Sequence, residues 1–271
     1  MDIGLFIDGR EIAAADGATF ERSNPYDGSI ASRAAAAGEA DVDSAILSAA
    51  RAFGDWAALG PTARRDMLFA AADALKARGE DFVEAMRKET GSTRPWAEFN
   101  VGLSYKMLRE AGAMTTQVGG EVIPSDKPGT LAMAIRQPAG VCVGIAPWNA
   151  PVILGVRAIS GALACGNTVI LKAAERCPLT HGLIGRAFVD AGFPAGGVNV
   201  VTNAPEHGPA VVERLIAHPL VRRVNFTGST KVGRIVGELA GRHLKPALLE
   251  LGGKAPLIVL DDADIDAAIN A

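Results

Sequence analysis

From Val141 onward, short apolar runs alternate with amphipathic stretches at close intervals, and that alternation restricts the chain to few architectures. The runs Val141 to Ala146, Thr168 to Leu171, Val198 to Val201, Arg223 to Phe226 and Pro246 to Leu249 have the length of strands. Between them Val152 to Ala164, Leu179 to Ala191, Pro209 to Ala217 and Thr230 to Ala240 carry helical spacing. Strands in alternation with helices predict an α/β fold with a doubly wound parallel sheet. Such sheets bind ligands at the carboxyl ends of their strands. At 271 residues, 49% apolar and 21% charged, the chain suffices for one large domain or two ordinary ones.

The first third is organised differently. Leu5 to Ile12 predicts a hairpin, because Asp8-Gly9 supplies the positive φ angles of a tight turn. A second extended pair flanks Asn24-Pro25-Tyr26-Asp27-Gly28. Val42, Ala45, Ile46, Ala49, Ala50 and Phe53 recur at helical spacing within Asp41 to Leu59, and Gly60-Pro61 ends that helix and opens the next. The next stretch continues helical past Gly79 to Gly91, and a further helix covers Ala97 to Thr116. Between Gly119 and Gln137, two extended runs about a Pro/Gly-rich connection form either an ordinary surface hairpin or an interaction arm. Past the last alternating strand, Pro256 to Leu260 predicts one more strand and Asp264 to Ala271 the opening of a helix.

The net charge of −3 and the lack of a basic cluster argue against nucleic acid as a partner. No apolar run is long enough to cross a bilayer, and Met1-Asp2-Ile3-Gly4 lacks the pattern of a signal peptide, so a cytoplasmic protein is expected. Cys142, Cys165 and Cys177 form neither a CxxC pair nor a metal-ligand spacing and are expected as reduced thiols. His181, His207, His218 and His243 lie far apart and are expected at the surface or at helix ends, so no metal site is predicted.

Four stretches carry chemistry. In Leu248-Leu249-Glu250-Leu251-Gly252-Gly253-Lys254, a carboxylate among leucines is a structural acid or a catalytic base, since apolar surroundings raise its pKa. Phe226-Thr227-Gly228-Ser229-Thr230 closes a strand and opens a helix whose free N–H groups suit an anion, with Ser229 as cap or phosphate ligand. Lys172 and Glu175 follow another strand and form either a ribose-binding pair or a solvated one. Ile145-Ala146-Pro147-Trp148-Asn149-Ala150-Pro151 lies at a third strand end, where two prolines stiffen the backbone around Asn149. Arg157 follows Asn149 by eight residues, so both face one cavity if the helix between them is continuous.

Taken together, PWN, KxxE, FTGSTxxG and ELGGK in this order resemble the aldehyde dehydrogenase superfamily, in register over essentially the whole chain. The stretch from Ala146 to Arg157, with Cys177-Pro178-Leu179-Thr180-His181, looks like the branch that oxidises salicylaldehyde, benzaldehyde or vanillin. The resemblance implies NAD as cofactor and Rossmann-like folding of the core. It implies that Asn149 helps hold an oxyanion and that Glu250 activates the water that hydrolyses a thioester formed on a cysteine. Lys172 and Glu175 would hold the adenine ribose, Gly228 and Ser229 the pyrophosphate, and Leu251 the nicotinamide end. Ile145 and Trp148 belong to the same cofactor-binding set. Arg157 would meet the phenolic oxygen of an ortho-hydroxy aldehyde, and Trp96 or Trp148 would form an aromatic wall.

In the family the nucleophilic cysteine stands beyond the position of Ala271, so the resemblance also implies a chain truncated before it. The implied organisation is an N-terminal part of the dinucleotide-binding domain over 1–118, a β-arm for oligomerisation over 119–139, the dinucleotide core over 140–251, and the first strand and helix of a catalytic domain over 252–271. A homo-oligomer acting on a small aromatic aldehyde is the expected assembly. The alternative is a non-catalytic dinucleotide-binding or assembly module.

Overall fold

A computed structural model describes residues 2–270; Met1 and Ala271, at the ends of the opening segment and of the expected last helix, lie outside the described residues. After β1 (Asp2–Ile3) comes the predicted hairpin of β2 (Leu5–Ile7) and β3 (Arg10–Ile12), turning through Asp8 and Gly9 at φ of 57° and 70°. The second pair is β4 (Thr19–Ser23) and β5 (Ile30–Ala35), antiparallel about the Asn24 to Gly28 turn. Four helices follow: α1 (Glu39–Ala58), α2 (Pro61–Ala77), α3 (Gly79–Thr90) and α4 (Arg94–Met114). The expected continuous helix up to Gly91 is instead two, broken at Arg78, whose ψ of 15° leaves the helical region just before Gly79. Gly91 then ends α3 in the left-handed conformation that glycine adopts without a Cβ penalty.

The arm is a two-stranded ribbon of β6 (Glu121–Ile123) and β7 (Ala132–Ala134), with Val122, Leu131, Met133 and Ile135 exposed. Then the alternating half begins: β8 (Val141–Ile145), α5 (Pro151–Ala164), β9 (Thr168–Lys172), α6 (Pro178–Asp190) and β10 (Val198–Val201). A short turn of helix at Pro205–His207 leads into α7 (Gly208–Ala217), β11 (Val221–Thr227), α8 (Thr230–Arg242) and β12 (Ala247–Glu250). The last element of the described residues is α9 (Ile265–Asn270).

The main sheet has seven strands in the order β12-β11-β8-β9-β10-β2-β3, and its first five are mutually parallel. Along β8, Cys142 and Ala146 bury into one apolar layer and Val141, Val143 and Ile145 into the other, as the period of two requires. Helices α2 to α6 supply the first layer, and α1, α7 and α8 the second. The hairpin β2-β3 extends the sheet antiparallel beyond β10, while β1, β4 and β5 form a separate three-stranded sheet. No helix among the described residues is long and apolar enough to cross a membrane.

The expected strand at Pro256 to Leu260 is absent: residues 251–260 have no regular structure, and Leu257, Ile258 and Leu260 are exposed. An extended apolar run becomes a strand only where a neighbour takes its hydrogen bonds, and among the described residues none lies beside it. Among the described residues β12 is likewise the edge of the sheet, paired with β11.

Candidate functional site

The direction of winding reverses at β8. From it the chain moves outward through β9 to β10, then crosses back to add β11 and β12 on the other side. Loops leaving β8 and β11 therefore diverge above a crevice at the strands' carboxyl ends, where open α/β sheets bind ligands. Register sets the row of residues there: Ile145 lies opposite Lys172 and Phe226, and Thr227 opposite Glu250.

Lys172 ends β9 and is only 5% exposed. Its ammonium pairs with Glu175, and Asn203, just past β10, donates from Nδ2 to the same carboxylate oxygen at 3.1 Å. Burial pushes the Glu175 carboxyl upward, but Lys172 and these hydrogen bonds prevail and hold it below its ordinary value. Asn203 Oδ1 is buried without a partner. A buried acceptor left unused costs free energy unless something donates to it. A paired lysine and glutamate beside a spare acceptor fit a ligand that brings hydroxyl groups, as a ribose does.

Across the crevice Ser229 caps α8, its Oγ accepting from the Val232 N–H at 3.3 Å. This helix start is exposed, and its N–H groups and dipole suit an anion. Gly228 donates its N–H to the Glu250 carbonyl at 3.0 Å, which ties the α8 start to the end of β12. A Cβ on Gly228 would stand 2.5 Å from the Phe226 ring, and one on Gly233 would stand 2.3 Å from Leu251. Gly233 thus allows the first turns of α8 to lie against Leu251, and Gly228 lets the chain turn closely past the Phe226 ring.

Glu250 departs from its expected setting. The leucine on each side suggested burial, yet Glu250 is exposed and Leu248 is 59% exposed. The carboxylate stands on an open face of an edge strand. Glu250 and Arg157 line one cleft of about 560 Å³ between α5 and strands β11 and β12, together with Cys142, Arg223, Asn225 and Leu248. Asn149 is not part of that cleft wall. It is exposed and precedes α5, which begins at Pro151, so the eight-residue helical spacing to Arg157 does not apply.

Asn149 meets Trp96 instead: the Trp96 indole N–H donates to the Asn149 carbonyl at 3.2 Å, and the indole stacks on Phe99 with centroids 5.5 Å apart. Trp148 is exposed beneath the Arg176 guanidinium, 5.0 Å from the ring centroid. Thus Lys172, Glu175 and Ile145 gather on one side of the crevice, Gly228, Ser229, Leu251 and Glu250 on the other. Trp96, Trp148 and Asn149 stand at the β8 loop.

None of the three thiols is set up as a nucleophile. Burial pushes Cys142 up to about 11 and Cys177 well above its ordinary value. Cys165 caps the far end of α5, next to the amino end of β9. Sequence spacing missed Asn203, His181 and Glu89. Asn203 alone had a signal, a polar residue directly past a strand's carboxyl end. His181, expected at the surface, is fully buried, because its ring fills the space opposite Gly155. Glu89 is buried too, accepting from Ser32 Oγ at 2.5 Å and from the N–H groups of Leu179 and Thr180 at 2.9 Å.

The sequence pattern of the aldehyde dehydrogenase family matches residues 12–271. A vanillin dehydrogenase from Pseudomonas fluorescens is 61% identical over all of this chain, which covers 56% of that protein. Among solved structures, a salicylaldehyde dehydrogenase from Pseudomonas putida G7, complexed with salicylaldehyde, superposes with a TM-score of 0.97 at 44% identity. That match covers 100% of this chain and 56% of the other. An NAD-dependent benzaldehyde dehydrogenase from Corynebacterium glutamicum gives 0.94 at 38% identity, over 99% of this chain and 59% of the other. The chain spans about half the length of the curated relatives it matches.

Proposed function

The chain belongs to the aldehyde dehydrogenase family, and on that premise we propose that it carries the dinucleotide-holding part of an enzyme that oxidises an aromatic aldehyde to the carboxylic acid with NAD. Bound NAD would accept the hydride released at the aldehyde carbon. The chain's own residues hold and orient. Lys172, Glu175 and the spare oxygen of Asn203 take the adenine ribose; Glu175, kept anionic, repels a 2′-phosphate and so favours NAD over NADP. The α8 start, with Gly228 and Ser229, takes the pyrophosphate. Ile145 and Trp148 line the cofactor's path, and Leu251 meets the nicotinamide end.

On the substrate side, the Asn149 amide helps hold the oxyanion, Trp96 supplies an aromatic wall, and Arg157 meets a phenolic oxygen in the cleft it shares with Glu250. Glu250 takes the proton of the water that attacks the thioester. Its exposure on the cleft suits that task, since an attacking water must reach it. The thiol is none of the three cysteines: Cys142 and Cys177 are buried with their thiols pushed up, and Cys165 stands at the end of α5 away from the crevice. The same reading assigns the protein to the cytoplasm, where free thiols persist, and to a homo-oligomer joined through the exposed apolar arm.

The observation that carries the proposal is the Lys172, Glu175 and Asn203 cluster at the ends of two strands. Titration with NADH, followed by nicotinamide fluorescence, tests it. The expected result is saturable binding, weakened about tenfold by Lys172→Ala, the loss of one hydrogen-bonded charge. Glu175→Gln narrows the preference for NADH over NADPH. No binding, or equal binding by all three proteins, would overturn the proposal.

A further inference from the structure

Between the loops that leave β8 and β9 lies one buried imidazole. His181, in the first turn of α6, has 0% of its surface exposed. Its Nδ1 accepts from the Ala174 N–H at 3.0 Å, and its Nε2 lies 3.0 Å from the Pro151 carbonyl. A backbone N–H only donates and a carbonyl only accepts, so the ring is neutral with its hydrogen on Nε2. Ala174 sits between Lys172 and Glu175, and Pro151 follows Trp148-Asn149-Ala150 directly. A single ring therefore spans the two loops.

We propose that His181 is a positioning residue that locks the Lys172–Glu175 loop to the Trp148–Pro151 loop, so that the ribose-holding groups and the Asn149 amide are set as one piece. The functional meaning of the two loops rests on the cofactor reading above. The fold leaves room for this ring: a Cβ on Gly155 would stand 3.2 Å from His181 Cδ2, so a larger residue on α5 would crowd it. Burial first, then Lys172, holds the imidazole down to about 4 against the opposing pull of the Pro151 carbonyl and Glu175. The ring therefore stays neutral at working pH, the state that both hydrogen bonds need. Of the groups around it, Lys172 and Glu175 come from the β9 loop, and Cys177, with Sγ 4.0 Å from both ring nitrogens, from the start of α6. On the α5 side its contacts are Pro151 and Gly155, which do not titrate.

The test compares the wild-type chain with His181→Phe, which fills the space without hydrogen bonds, and His181→Gln, which keeps a donor and an acceptor. Amide hydrogen exchange reads both loops without any cofactor, and NADH fluorescence reads affinity. In His181→Phe, exchange at Ala174, whose N–H the ring accepts, and at Leu154, whose N–H bonds the Ala150 carbonyl, rises about tenfold together, and NADH binds about tenfold more weakly. His181→Gln restores both. The proposal is overturned if either loop of His181→Phe keeps its wild-type exchange, or if His181→Gln behaves like His181→Phe. Should His181→Phe fail to fold, the ring ¹⁵N shifts of the wild type decide. They are expected to show hydrogen on Nε2 and a bare Nδ1 from pH 5 to 8, and the opposite tautomer overturns the proposal. Failure of the wild type to bind NADH would remove the cofactor reading alone, because exchange and ring shifts do not depend on it.

Discussion

At the scale of single residues, the side chains that could be identified from their spacing are those whose partners lie close in sequence. Lys172 and Glu175 are three residues apart, and the ion pair is already implied by that interval. Glu89 is the opposite case. Its partners, Ser32, Leu179 and Thr180, arrive from two other elements, and no local pattern announces a carboxylate that bridges them. His181 was misplaced for the same reason, since Pro151 comes to it from thirty residues upstream. Its pH dependence follows from burial. The folded value of about 4 lies below the ordinary 6.5, so neutral His181 contributes stability that is full above pH 6.5 and is lost as pH falls from there toward 4. Across that window the loss amounts to about 3 kcal/mol. Urea denaturation at pH 7 and pH 4.5 should show wild-type stability falling by roughly 2–3 kcal/mol more than that of His181→Gln, which has nothing to titrate there.

At the scale of elements, the alternation of apolar runs with amphipathic stretches located every strand of the parallel sheet: β8, β9 and β10, buried at every position, are mostly apolar, while β11 and β12 keep enough apolar residues to be picked out although part of each is exposed. The surroundings of β12 were not legible. The leucines around Glu250 would look the same whether the strand is interior or edge, and only the strand order reveals that it is edge. Helix α8 separates two jobs that one residue combines. Ser229→Ala removes the cap and should cost about 1 kcal/mol in urea denaturation. Ser229→Asp keeps a capping oxygen and should hold stability near wild type, while its charge lowers NADH affinity at the proposed pyrophosphate position. Equal NADH affinity in Ser229→Asp and wild type would count against a phosphate at that helix start.

At the scale of the whole molecule, the sheet is finished on one side by residues far away in sequence. Phe6 of β2 pairs with Val200 of β10, and a Cβ on Gly185 of α6 would stand 2.7 Å from the Phe6 ring. Phe6 is buried at this junction, so Phe6→Ala should cost about 3–4 kcal/mol by the usual toll of an emptied aromatic site. The loss is measurable as a lower urea midpoint, with faster amide exchange along β10. Unchanged exchange in β10 would mean that the hairpin does not hold that edge. The pairing also bears on synthesis at the ribosome. The hairpin is made nearly two hundred residues before the strand it must join. An isolated two-stranded hairpin is marginal in water, so the early residues wait without a partner, and closing so long a loop slows assembly. The hairpin is thus translated well ahead of its partner strand and settles late.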